Sequence, residues 1–239
     1  AAAGMRFVER SPAARRYAVE SPVKALVQGE SAPGSATAPA DAGRTPRPQP
    51  HVVFLIHGIR DFGEWQVALG DRIWNVAEQA GIDLRDVVSV RYGYFSAFQF
   101  LLSGERDRTT RSFLDLYAQT SASHPDAICH VAAHSNGTYV AGNALLNSDF
   151  VEVHNLYLAG SVLHRDFPWD RLWLPNHRRP HQGRITGAIR SDRAAWDWPV
   201  GVLCWVIGGL NYGILQRLGD LTAWRYLGSG GVDGFRQKS

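Results

Sequence analysis

The chain has 239 residues, 45% of them hydrophobic, and a formal net charge of +3. That length and apolar content are enough for one substantial core, and the charge is too mild to argue for a nucleic-acid partner. The two cysteines, Cys129 and Cys204, make no disulfide framework. Cys129 falls inside a predicted strand as a buried free thiol, which fits a reducing, cytoplasmic compartment.

Residues 1–49 are a different material from the rest. From Gly29 to Pro50 the composition is dominated by Ala, Gly, Pro, Ser and Thr, which cannot bury enough apolar surface to offset the entropy of ordering it. A disordered or linker-like arm is expected there. It carries no charged start followed by a long apolar run, so no secretory signal is read in it. The chain opens on Ala1, and a true start upstream or at Met5 is expected.

From residue 50 to 239 one α/β domain is expected. His51–His57 reads as a buried strand. Glu64–Ala80 reads as a helix, with Trp65, Leu69, Ile73 and Trp74 at helical spacing and Gly81 as its stop. Strand Val87–Tyr94 leads into an aromatic run at 92–102, which either lines an acyl-binding pocket or packs in the core. A helix over Arg106–Ser121 follows, then strand Ile128–His134, a helix from Asn136, strand Val153–Leu158 and strand Arg184–Ile189. The basic cluster Arg178–Arg184 reads as a solvated loop. The apolar segment 199–218 is broken by Asn211 and is too short for a span of ~20 residues. It reads as a buried or interfacial helix, so membrane-surface contact through the apolar segments stays open. Strands alternating with helices, without hairpin signals, imply a doubly wound, mostly parallel, three-layer sheet with its ligand site at the carboxyl ends of the strands.

Two stretches carry the chemistry. Ala133-His134-Ser135-Asn136-Gly137 sits between the strand Ile128–His134 and the helix that follows, the pattern of a nucleophile elbow with alanine in place of the first glycine. The flanking positions must be small because the turn is strained and larger side chains would strike the neighbouring strand and helix. His51–Gly63 is an apolar strand ending in His57-Gly58, then a loop. The two together, with Leu158-Ala159-Gly160-Ser161-Val162-Leu163, resemble the α/β-hydrolase superfamily over about Pro50 to Gly219. The elbow is similar to that of small bacterial lipases, and the other two motifs to a poorly characterised bacterial branch.

The resemblance implies a serine hydrolase of the carboxylic-ester type, with Ser135 as nucleophile and the backbone N–H groups of Ile59 and Asn136 as the oxyanion hole. It needs neither metal nor cofactor, and a small acyl or ester substrate is implied; the oligomeric state is not readable. The implied chain order is Ser, acid, His. Asp197, in Asp197-Trp198-Pro199-Val200, resembles the turn that carries the acid; Asp192 and Asp166 are alternatives. No histidine follows Asp197. His134 is expected to turn away from the hydroxyl, His57 to be a structural hydrogen-bonding residue, and His164 to break the order. The domain is therefore expected to lack its last strand and histidine loop, with the histidine beyond Ser239 and the chain as given nearly inactive. The alternative is a degenerate hydrolase-like domain acting as a binding module.

Overall fold

The computed structural model describes residues 8–10, 48–59, 64–92, 103–172 and 183–192. Asp197, the segment 199–218, residues 93–102 of the aromatic run and residues 178–182 of the basic cluster lie outside the described residues, as does the rest of the N-terminal arm.

Strand β2 (His51–Ile56) is followed by helix α1 (Glu64–Gln79), strand β3 (Leu84–Val90) and helix α2 (Ser103–Ser123). Strand β4 (Ile128–His134) leads into helix α3 (Asn136–Asn147). Two short strands, β5 (Glu152–Val153) and β6 (Asn155–Ala159), precede a one-turn helix α4 (Trp169–Leu172) and strands β7 (Arg184–Ile185) and β8 (Ile189–Asp192). Strand β1 (Val8–Arg10), from the arm, lies beside β8.

The main sheet runs in the order β1-β8-β6-β4-β2-β3, and every pairing in it is parallel. Parallel strands need crossover connections, and helices supply them. Both faces of the sheet are covered, which is why Val52–Ile56 is one unbroken apolar run with no exposed residue. One face carries Val53, Leu55, Ala132 and Tyr157 against Ile73 and Ala77 of α1. The other carries Phe54, Ile56, Val131 and Leu158 against Phe113 and Tyr117 of α2 and Tyr139, Ala144 and Leu145 of α3. This is a three-layer, doubly wound α/β fold. Buried Gln66 fastens α1 to the sheet by donating to the carbonyl oxygens of Leu55 (2.5 Å) and Val90 (3.5 Å). Gly81, at φ 66, ends the helix in the left-handed conformation that glycine adopts at no cost.

Helix α2 is longer than its expected Arg106–Ser121 at both ends, and three of the strands differ from their expected bounds by more than one residue. Strand β3 begins at Leu84 rather than Val87 and ends at Val90. Among the described residues no strand lies beyond it, so Arg85 and Asp86 can point to water within a paired strand and mask its start. The strand expected over Val153–Leu158 breaks at His154, whose N–H bonds to Cys129 O at 2.7 Å. The strand expected over Arg184–Ile189 breaks at Gly187, whose N–H bonds to His154 O at 2.8 Å. The pieces on one side of these breaks pair as a separate two-stranded sheet, β5 with β7, and the others join the main sheet. A Cβ at Gly187 would stand 2.5 Å from His154 O, so only glycine lets the chain step across here.

The switch point falls between β2 and β4. From β2 the chain goes outward to β3, then returns to the other side of β2 to lay down β4, β6 and β8. Connections leaving the carboxyl ends of two adjacent strands in opposite directions open a crevice between them. The residues at that crevice are Gly58 after β2 and Ser135 after β4.

Candidate active site

Ser135 stands at the junction of β4 and α3 with φ 51 and ψ −120, the only positive-φ residue other than glycine among the described residues. Such a conformation costs an L-residue roughly 1–2 kcal/mol, so the surroundings must hold it. They do so through backbone groups. Ser135 N–H donates to Ala159 O at 2.9 Å, and Ser135 O accepts from Thr138 N–H (2.9 Å) and Thr138 Oγ1 (2.7 Å). Thr138 Oγ1 in turn accepts from Ser161 Oγ and from Val162 N–H, both at 3.2 Å, inside a fully buried knot. The Leu158–Leu163 stretch is thus the brace that keeps the turn strained.

Ser135 occupies the N-cap position of α3, yet its hydroxyl makes no capping hydrogen bond. Ser at an N-cap ordinarily spends its hydroxyl on a helix N–H; here that group is left for other use. Asn136, the first helical residue, has a backbone N–H with no intrahelical acceptor, at the positive end of the helix dipole.

The small residues are required by contact. A Cβ on Gly137 would lie 2.4 Å from Ile56 O and 2.9 Å from His57 O, so α3 packs directly against the end of β2. A Cβ on Gly58 would lie 2.7 Å from Ser135 Cβ, 3.2 Å from Ser135 Oγ and 3.3 Å from His134 Nδ1. The backbone after β2 therefore runs against the Ser135 side chain, which brings the Gly58–Ile59 peptide close to Ser135. Ala133 is buried beneath the turn.

His57 is a hydrogen-bonding residue of this loop. Its Nδ1 lies 2.8 Å from Gly58 O, and its ring stacks on that of Tyr92 at 4.1 Å. The ring of His134 meets Trp65 of α1 edge-on at 6.0 Å, and its Nδ1 would lie 3.3 Å from a Cβ on Gly58. The last residue of β4 points to the α1 face by the alternation of the strand, and Gly58 leaves room for both side chains.

Among the described residues, no side chain hydrogen-bonds the Ser135 hydroxyl. His164 and Asp166 form a pair on the loop after β6, with Nδ1 3.6 Å from Oδ2. The N–H of Asp166 donates to that same Nδ1 at 3.2 Å. A nitrogen that accepts leaves the proton on Nε2, the reverse of the tautomer that lets a carboxylate-held histidine take a proton from serine. Asp192 ends β8, opposite Ala159 in the register, and its carboxylate accepts from Tyr157 OH. It lies two strands from β4 at the same carboxyl edge. Asp197 lies outside the described residues.

A second cluster of histidines occupies the opposite edge of the sheet. His51 Nδ1 and His130 Nε2 are 2.9 Å apart, and the ring of His154 meets that of His130 edge-on at 5.7 Å. Burial pushes His130 down to about 3, with His51 and His154 adding to the effect, and lowers His51 and His154 as well. No group of three metal-ligating side chains is arranged for a metal among the described residues. A cleft of ≈ 1240 Å³ opens at this edge beside Tyr117, Cys129, Glu152 and His154, far from Ser135 along the strands. The thiol of Cys129 is free, and burial raises its pKa. No described helix is long and apolar enough to cross a membrane.

No family model matches the chain, and no curated protein matches it. Among solved structures it is similar to a cutinase-like protein from Cryptococcus sp., at 17% identity and a TM-score of 0.36. The match covers 49% of this chain and about half (56%) of that one. The reading of the site rests on its own geometry.

Proposed function

We propose that this protein is a serine hydrolase that cleaves a carboxylic ester, or a related acyl substrate, through an acyl-enzyme on Ser135. One observation carries the reading: a serine in a strained positive-φ conformation, at the N-cap of a buried helix, whose hydroxyl caps nothing. Strain of this kind, braced by a buried hydrogen-bond knot, belongs to functional positions.

In the proposed reaction Ser135 Oγ attacks the acyl carbon and gives its proton to a histidine. The developing oxyanion takes hydrogen bonds from the backbone N–H groups of Ile59 and Asn136, helped by the α3 dipole. Collapse expels the alcohol, and water releases the acid by the same steps in reverse roles. Asp197 is the proposed partner of the histidine, with Asp192 next. His164 and Asp166 present the wrong tautomer for this work. No metal or cofactor enters the scheme.

The test is turnover of activated aryl esters by the product of the complete reading frame, beside its Ser135→Ala variant. Hydrolysis lost with the hydroxyl supports the reading. Folded protein that never turns over an ester, or turns it over equally well without Ser135, removes it.

A further inference from the structure

Tyr92 enters the sequence only as the first member of an aromatic run, yet it joins the two segments that border Ser135. Its hydroxyl lies against His57 O. A carbonyl can only accept, so the single hydroxyl hydrogen goes there. Asn136 Nδ2, 3.3 Å from that oxygen, is then an N–H that donates to it.

The ring of Tyr92 does a second job. It stacks on His57 at 4.1 Å and 24°, which holds the imidazole so that Nδ1–H donates to Gly58 O at 2.8 Å. Gly58 O and Ile59 N–H belong to one planar trans peptide and point in opposite directions. Pinning the oxygen aims the N–H. Two consecutive peptides after β2 are thus held, one by the Tyr92 hydroxyl and the next through the ring it stacks on. The same hydroxyl is tied to Asn136, whose backbone N–H is the other proposed donor.

We propose that Tyr92 is a positioning residue of the oxyanion site, holding Ile59 N–H and Asn136 N–H in one fixed relation through His57 O and Asn136 Nδ2. The inference rests on the hydrolase reading and deepens it. Loss of one oxyanion donor costs ~10²–10³-fold in turnover, and a displacement of about 1 Å can cost ~10². A residue that aims both donors without touching substrate should fall at the lower end of that range.

Tyr92→Phe keeps the stacked ring and removes only the hydroxyl. On an activated ester, kcat is expected to fall ~10–100-fold, with KM within about 2-fold, because donors that act on the tetrahedral oxygen matter little to the ground state. Hydrogen exchange at residues 57–59 is expected to speed up. Asn136→Ala breaks the same contact from its other end while keeping the backbone N–H, and it is read in place of Tyr92→Phe should that variant fail to fold. The double variant is expected to be no slower than the slower single one, since the contact that Asn136→Ala cuts is already lost in Tyr92→Phe. Unchanged kcat in both single variants overturns the proposal, as does a loss confined to KM. If the parent protein turns over no ester and takes no fluorophosphonate on Ser135, the hydrolase reading fails. Exchange at 57–59 then decides whether Tyr92 holds the loop: acceleration supports the hold, and no change overturns it.

Discussion

Gly58 and Ser135 touch: a single Cβ on Gly58 would stand 2.7 Å from Ser135 Cβ. Atoms at that distance cannot coexist, so the loop after β2 and the elbow after β4 have one relative placement that glycine alone permits. Gly58→Ala should therefore cost about 1–3 kcal/mol, the usual range for overpacking. It should also slow acylation, because the strain is relieved by moving Ser135 or the Ile59 peptide. Urea unfolding and ester turnover on one preparation check both.

Gly137 and Gly142, both in α3, separate backbone from side-chain constraint. A Cβ at Gly137 meets backbone oxygens at 2.4 and 2.9 Å, whereas at Gly142 the nearest atoms are ring and methyl ends of Phe167 and Leu163 at 3.0–3.2 Å. Gly137→Ala should unfold the protein or lower its melting temperature steeply. Gly142→Ala should be tolerated to within about 1 kcal/mol either way, since helix propensity favours alanine by a similar amount. Thermal melts of the two variants decide it.

These contacts explain what the sequence could and could not disclose. The elbow was readable because its small residues, Ala133 and Gly137, are demanded by neighbours that any strand–turn–helix of this kind brings close. Strand β2 was readable because a central parallel strand must be apolar on both faces. The division of 152–159 and 184–192 between two sheets was not, because a period of two tells which residues face inward and not which sheet receives them. Tyr92 and His57 meet across 35 residues and His51 and His130 across 79; no local pattern announces such contacts. Strand β1 is short and carries Glu9 and Arg10, a composition that suits an edge and does not signal a strand.

The buried histidines should make stability fall in acid. His130 has a folded value of about 3 against an ordinary value of 6.5, so between those limits the unfolded chain binds the extra proton. Stability is fully present above pH ~6.5 and is lost as pH falls toward 3. From His130 alone the loss between pH 7 and pH 5 is about 2 kcal/mol. His51 and His154, also lowered by burial, act in the same direction, against smaller opposing effects of Asp83 and Glu152. Urea midpoints at the two pH values should differ accordingly, and His130→Gln should narrow the difference.

Tyr117 clamps β5 to α2: its hydroxyl donates to Glu152 O at 2.6 Å and accepts from Glu152 N–H at 2.9 Å. Tyr117→Phe leaves both backbone groups without that partner and should cost about 1–3 kcal/mol. Since this edge lies away from Ser135, kcat of the folded variant should be unchanged. A fall in activity without a fall in stability would be the contrary result.

The acid assignment separates by substitution. Asp197→Asn should lower kcat strongly, up to ~10⁴-fold if Asp197 holds the histidine's tautomer. Asp166→Asn should leave kcat within a few-fold, because His164 presents its protonated nitrogen away from Asp166. Asp192→Asn should behave like Asp197→Asn only if the Tyr157-bonded carboxylate is the triad member. Steady-state turnover of the three variants, each checked for folding, ranks them.

The central claim is that Ser135 is a nucleophile, and fluorophosphonate labelling followed by intact-mass and peptide mapping tests it most directly. The product of the complete reading frame should gain one adduct, mapped to Ser135, and Ser135→Ala should gain none. A folded protein that takes no adduct, or one whose adduct persists in Ser135→Ala, would contradict the account.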